Sequence, residues 1–264
     1  MENIDVIQTF NKLLHGYCAG AGEAIESDEY VVYRSSDFLK YYGVNFITLK
    51  KPLSLVRAME LFREYFDPTQ FHHMAFACPN SSDNREFVSD AISLGFHVER
   101  CSTMWRPLEV TLTTSSSNLV WLEPREKAGI VRQAFAAVSV EDGLVACVKE
   151  ALDLFEWKAD ILERLGGGFV ALTAHDRFEL LCVTSYFTIS SGAMVQDLVT
   201  VPGFRRQGHA STLIREFCLA ARRRLRVDTI FTESDLDSGS LPLFERAGFK
   251  SFGETLFLVR RERL

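Results

Sequence analysis

MVQDLVTVPGFRRQGHASTLIREFCLAARRR, residues Met194 to Arg224, decides the fold. It opens as an apolar, β-branched run ending at Val201, which Pro202-Gly203 breaks. Arg205-Arg206-Gln207-Gly208-His209-Ala210 follows, and there the apolar period changes. Leu213, Phe217 and Ala221 recur every fourth residue, with Ile214, Cys218 and Leu225 beside them, which is one face of a helix. The spacing predicts a strand that feeds through a glycine turn into a helix start. First-turn amides are then unpaired at the positive end of the helix dipole, a place suited to an anionic group such as a diphosphate.

Two glycine loops could explain such a turn. Gly203 and Gly208 have the Walker spacing, but His209-Ala210 stand where Lys-Ser/Thr is needed, which argues against nucleoside triphosphates. What fits is R-x-x-G-x-A, Arg205 to Ala210, directly after a strand. Downstream, Asp228–Glu233 reads as a short strand. Residues Asp235 to Phe249, DLDSGSLPLFERAGF, then run through a helix to Gly248-Phe249.

The first pattern resembles the coenzyme A diphosphate loop of the GNAT superfamily of acyl-CoA-dependent N-acyltransferases. The second resembles that family's N-x-x-A-x-x-L-Y-x-x-x-G-F signature: Leu243, Gly248 and Phe249 match, whereas Asp237, Ser240 and Phe244 replace Asn, Ala and Tyr. Together the motifs cover the last third of the chain. They imply an α/β fold, with a mixed sheet carrying helices.

Length and composition bound the rest. The 264 residues suffice for two domains. Hydrophobic content of 47% with 24% charged residues and 21 Phe points to large cores rather than disorder. A net charge of −6 argues against a general nucleic-acid binder. The acidic start, Met1 to Asp5, lacks an apolar segment, and no apolar run reaches spanning length. The six cysteines are scattered without a C-x-x-C, so buried free thiols in a reducing cytoplasm are expected, with no metal. His72-His73 have no ligand-spaced partner and read as a strand-edge pair. Arg222-Arg223-Arg224 suit a helix C-terminus, and no aromatic platform accompanies them.

In chain order, a helix carries Val6, Phe10, Leu13 and Leu14, and strands are expected at Tyr30–Arg34, Phe46–Leu49, His73–Cys78 and His97–Met104. A helix with Leu55, Met59 and Phe62 and another over Arg85–Leu94 lie between them. Phe76 to Phe96 echoes Phe231 to Phe249: strand, polar turn, helix, Gly-Phe. The expected organisation is a degenerate GNAT-like domain over 1–115, without a cofactor motif, and an acyl-CoA-binding GNAT domain over 116–264, the boundary falling in Thr113–Asn118. Tyr42 to Phe46 also resembles the start of a tandem GNAT group. In the second half, strand Leu119–Leu122, helices Glu126–Ala137 and Glu141–Phe155, and a helical segment ended by Gly166-Gly167-Gly168 precede Phe169–Ala174. After the His175-Asp176-Arg177 turn come strand Phe178–Ser190, the strand into Val201, and a last strand Phe252–Arg261.

The resemblance implies that the main chain of Leu198, Val199, Thr200 and Val201 pairs with the pantetheine arm of acetyl-CoA. It implies further that amides of Arg206, Gln207, Gly208, His209 and Ala210, with Ser211 beside them, hold the diphosphate. Arg205 and Arg206 either add charge there or are solvated. An amine attacks the thioester directly, so a base is needed. Asp197 and Glu233 are the candidates, each otherwise a solvated or fold-supporting carboxylate. Phe244 stands where relatives have the Tyr that protonates the leaving sulfur, and is expected to pack against the acyl chain or the core. The tandem group often carries Glu at the position of Val199. The expected activity is acyl transfer from acetyl-CoA to a primary amine of a small molecule, by a monomer or homodimer. The rivals are a non-catalytic acyl-CoA-binding regulatory module and a protein-lysine acetyltransferase.

Overall fold

The computed structural model describes residues 3–39, 41–108, 119–124, 128–141, 145, 147–174 and 179–261. The Thr113–Asn118 boundary, the strand-like residues after Leu108 and the His175-Asp176-Arg177 turn lie outside them. Along the chain run α1 (Asn3–Ala21), β1 (Glu23–Glu26), β2 (Tyr30–Arg34), β3 (Phe46–Leu49), α2 (Leu55–Tyr65) and β4 (His73–Pro79). Next come α3 (Arg85–Ser93), β5 (His97–Pro107), β6 (Leu119–Leu122), α4 (Ala128–Glu141), α5 (Val148–Arg164) and β7 (Gly168–Thr173). The chain closes with β8 (Leu180–Ile189), β9 (Gly192–Thr200), α6 (His209–Leu225), β10 (Thr229–Asp235), α7 (Leu241–Arg246) and β11 (Lys250–Arg261).

These elements form two compact units. One holds Met1–Gly16, Met104–Thr232 and Ser240–Lys250, and the other holds Tyr17–Thr103, Glu233–Gly239 and Ser251–Leu264. The repeat seen in the sequence and the units therefore divide the chain differently: the first helix and the last strand are each split between units.

In the first unit the strands lie in the order β6-β7-β8-β9-β10, antiparallel except for the parallel pair β9–β10. A parallel neighbour requires a crossover, and α6 supplies it. Its buried stripe of Leu213, Ile214, Phe217 and Ala221 packs in one cluster with Val170, Val195, Ile230 and Phe244. The amino-terminal turns of α1 close this unit elsewhere. Phe10 lies 6.1 Å from Phe231, and a side-chain atom on Gly192 would strike Thr9 and Leu13.

In the second unit β1-β2-β3 are antiparallel, β3–β4 are parallel across α2, and β11 pairs antiparallel with β4, Leu258 opposite Phe76. Its core gathers Phe62, Phe66, Phe76, Phe87 and Phe96 with Leu256 and Leu258 of β11. β7-β8-β9-β10 in the first unit and β1-β2-β3-β4 in the second thus both run antiparallel, antiparallel, parallel around a strand–helix–strand crossover.

One helix differs from expectation. The segment read as Glu141–Phe155 plus a further helical piece is a single helix, α5, which starts at Val148 after extended Cys147 and runs to Arg164. Its buried stripe, Ala151, Leu154, Phe155, Lys158, Ala159, Ile161 and Leu162, contains a lysine, which breaks the apolar pattern in the sequence. Gly166 at φ +64 ends it, and Gly167 N donates to Leu162 O at 2.7 Å, as in a Schellman close.

Candidate functional site

The site begins with an irregularity in β9. Against β8, Ser185 faces Gln196 and Val183 faces Val199, so Thr184 alone opposes both Asp197 and Leu198. This is a β-bulge, and Asp197 takes the left-handed conformation, φ +51, that Asp and Asn tolerate best among residues with a Cβ. Side chains hold it there. Thr184 Oγ1 donates to Gln196 O at 2.8 Å, and the Ser185 hydroxyl lies 3.0 Å from both Gln196 O and Asp197 Oδ2. From α5, Lys158 Nζ reaches Asp197 Oδ1 at 2.5 Å.

On its other edge β9 pairs with β10 only over Gly192–Met194 and Thr229–Phe231. At the next position the Thr232 hydroxyl bonds Val195 O at 3.1 Å. Beyond it Leu198 to Val201 stay tied to β8, with Val201 N donating to Leu181 O at 3.1 Å. Val199 is buried, while Leu198 and Thr200 are half-buried.

Pro202–Phe204 then form a single 3₁₀ turn, closed by Phe204 N to Val201 O at 2.8 Å and Arg205 N to Pro202 O at 3.2 Å. Arg206 (φ +63) and Gly208 (φ +83) are both left-handed, and Gly208 is the N-cap of α6. No side chain caps the helix. The next main-chain donor is Thr212 N, to Gly208 O at 3.0 Å; among the described residues the amides of Arg206 to Ser211 have no acceptor. A Cβ on Gly208 would meet nothing within 4 Å, so the mouth of the turn is open. Six successive amides at a positive helix end, with open space before them, fit a diphosphate.

The surrounding side chains stiffen the turn. Arg205 donates to Thr200 O at 3.3 Å and to Glu141 at 3.0 Å. Gln207 Nε2 donates to Gly203 O at 3.2 Å. The His209 ring meets Phe204 edge-on at 6.2 Å, and its buried Nε2 has no partner among the described residues. Arg206 is exposed, and Ser211 is half-buried in the first helical turn.

Glu233, on β10 just after Thr232, is half-buried as a residue, but its Oε1 is shut off from solvent. Burial raises its pKa from the ordinary 4.5 to about 7. Phe244, on α7, is 4% exposed and packs on Phe249 with ring centroids 5.4 Å apart.

The fold recurs in known structures. A protein of unknown function from Staphylococcus epidermidis superposes with a TM-score of 0.67 at 13% identity, over 92% of this chain and 95% of that one. A GCN5-related N-acetyltransferase from Kribbella flavida gives 0.65 at 12% identity, over 94% and 93%. A tandem GNAT protein from the clavulanic acid biosynthesis pathway gives 0.51 at 13% identity, over 97% and 95%. The fold is the tandem GNAT fold. No family model matches the sequence, and no curated protein does.

Within the GNAT fold, the expected residues fall into three groups. Leu198 to Val201 and Arg205 to Ser211 are continuous along the bulged strand, turn and helix start. Phe244 belongs to the hydrophobic core of the same unit. Asp197 is engaged by Lys158 and Ser185. Lys158, Thr184 and Ser185 escaped the sequence reading. The one available signal was a lysine on the apolar stripe of α5. His73 is buried with Nε2 3.2 Å from Asn45 O, and among the described residues no three His, Cys, Asp or Glu side chains could hold a metal ion. No described helix is long and apolar enough to cross a membrane. All six cysteines are free; Cys147 is exposed, and burial pushes Cys182 and Cys218 up to about 11.

Proposed function

We propose that this chain is an N-acyltransferase that moves an acetyl group from acetyl-CoA to a primary amine of a small molecule. One observation carries the reading: six open amides, Arg206 to Ser211, at the start of α6, directly after a bulged strand. Amides of Arg206 to Ala210 would hold the diphosphate, and the Leu198–Val201 main chain would pair with the pantetheine arm. Acetyl-CoA supplies the thioester carbonyl; attack by the amine gives an amide and releases coenzyme A as its thiol.

The chain's own residues do the rest. Glu233, rather than the ion-paired Asp197, takes the proton from the incoming ammonium, because a carboxyl near 7 is half ionised at neutral pH. Phe244 has no proton to give the sulfur and shapes the apolar wall instead. A thiol with a pKa of about 8.5 can leave as thiolate and be protonated by water. The 116–264 repeat carries this chemistry. A cytoplasmic monomer or homodimer without metal or nucleic acid completes the proposal.

A second reading, an acyl-CoA-binding regulatory module, is favoured by Phe244 and Val199. Incubating the protein with acetyl-CoA and a panel of polyamines, amino acids, aminoglycosides and a lysine peptide, while following free thiol, separates the two. Amine-dependent thiol release supports transfer, and release with the peptide alone marks a protein-lysine acetyltransferase. Coenzyme A binding without release from any member would establish the regulatory module instead.

A further inference from the structure

An ammonium group placed inside a protein has to be explained. Lys158 is 7% exposed, in the stripe of α5 that carries Leu154, Phe155 and Leu162, with its Nζ 5.3 Å from the centre of the Phe135 ring. Removing a charge from water costs several kcal/mol, and replacing a buried pair by apolar side chains is often neutral or stabilising. Stability alone therefore does not account for a lysine here. What the lysine touches does: Asp197 Oδ1, at the left-handed residue of the bulge.

We propose that Lys158 is a positioning residue which, through Asp197 and Ser185, locks the β9 bulge and so aims the Leu198–Val201 edge at the pantetheine arm of acyl-CoA. The assignment rests on acyl-CoA being the ligand. Three side chains from two elements converge on two consecutive residues: Lys158 and Ser185 on the Asp197 carboxylate, Thr184 and Ser185 on Gln196 O. Because the bulge adds one residue on β9, every position after it is turned to the face it would not occupy in a regular strand. Leu198 to Val201 present their current edge only while Asp197 stays at φ +51. The diphosphate turn is built otherwise, from the 3₁₀ turn, Gly208 and the Arg205 tether. The lock thus governs one half of the ligand and leaves the other half alone.

Coenzyme A and its phosphorylated-ADP half, which lacks the pantetheine arm, are the probes, with affinities measured by calorimetry on the full chain. Asp197→Asn is the first variant, because Asn keeps the shape and the tolerance for left-handed backbone but loses the charge that Lys158 pairs with. Affinity for coenzyme A should fall tenfold or more, while affinity for the nucleotide half changes less than twofold. Lys158→Met should give the same pattern. Ser185→Ala, which removes one hydroxyl and no charge, should give a smaller, twofold to tenfold loss with the same selectivity and carries the test if the other variants fail to fold. Equal losses for both probes, or none, with wild-type protein binding both, would overturn the lock while leaving the acyl-CoA reading intact. Wild-type protein that binds neither probe overturns that reading and the lock with it.

Discussion

Two turns of this protein make the same connection and end differently. β3 passes into α2 and β9 passes into α6, each inside an antiparallel, antiparallel, parallel pattern. At the first, Ser54 is extended and its hydroxyl accepts from Arg57 N at 3.3 Å, an ordinary N-cap. Lys50 N and Lys51 N both donate to Glu29 O, at 2.7 and 3.2 Å, and Lys50 Nζ is held by Glu26 and Ser27. At the second, a left-handed glycine stands in the cap position and six amides have no acceptor. A helix dipole exists at both turns. What separates the two is what stands at the cap: a serine hydroxyl holding Arg57 N at the first, a left-handed glycine before six open amides at the second.

The difference extends one strand further. Phe76 and Phe231 occupy matching places in the repeat, so Cys78 stands where the second copy has Glu233. Burial moves both acids, the thiol to about 12 and the carboxyl to about 7. A thiol at that value is inert at neutral pH, whereas the carboxyl exchanges protons there. At this place the first copy therefore carries a thiol where the second carries a titrating carboxyl.

The comparison breaks most directly at Gly208. Gly208→Trp places a ring in the open mouth of the turn and should abolish coenzyme A binding in calorimetry. The φ of +83 adds strain of about 1–2 kcal/mol to any residue with a Cβ, so a modest drop in melting temperature accompanies the loss. Retained affinity in a folded variant would remove this turn from the site.

Glu233→Gln is next in size. Turnover should fall by roughly 10²-fold or more, and the rise in rate as pH passes through about 7 should disappear from the pH profile. Stability gives a second reading of the same group. Its folded value lies above the unfolded one, so its favourable contribution is complete below about 4.5 and is lost as pH climbs through about 7. The difference corresponds to roughly 3 kcal/mol. Denaturant titrations of wild type should show this decline between about pH 4.5 and 7, and the glutamine variant should lack it. An unchanged slope would mean that burial does not hold the proton.

A subtler change carries the chemistry of the closed turn into the open one. Gly208→Asp keeps a residue type that tolerates left-handed backbone but sets a carboxylate beside the amides. Coenzyme A affinity should drop by about tenfold from competition and repulsion, roughly 1.4 kcal/mol. Stability should move little, because strain and capping oppose each other. The salt dependence of binding would check the repulsion, since added salt should narrow the gap between variant and wild type.

How much of this could be read from residues alone follows from the range of the forces involved. The strand into Val201, the glycine turn and the Leu213–Phe217–Ala221 stripe are local patterns, and β9 and α6 lie where they predict. Leu119–Leu122 and Tyr30–Arg34 are likewise short β-branched or aromatic runs that formed as read. The bulge was not legible, because it is a property of pairing: only β8 beside β9 shows that Thr184 faces two residues. Lys158 was missed for the same reason. On a helix, one lysine in an apolar stripe looks like a side chain reaching for water, and its destination at Asp197 lies 39 positions away. The exchange of chain ends between units also escaped, since nothing in Lys250–Arg261 names β4 as its partner.

The smallest effect tests the closed turn. Ser54→Ala removes the cap of α2, leaving Arg57 N without its side-chain acceptor. Losses of this kind run to about 1 kcal/mol, a shift of only a few degrees in melting temperature for a chain this size. Coenzyme A affinity should be unchanged, because opening one amide does not build an anion site. The Ser54 hydroxyl takes one donor, while Glu29 O still holds those of Lys50 and Lys51. A second equivalent of coenzyme A binding to Ser54→Ala, absent in wild type, would show instead that a single cap is all that keeps this turn silent. It would then place the difference between the two copies in one hydroxyl rather than in the whole path of the loop.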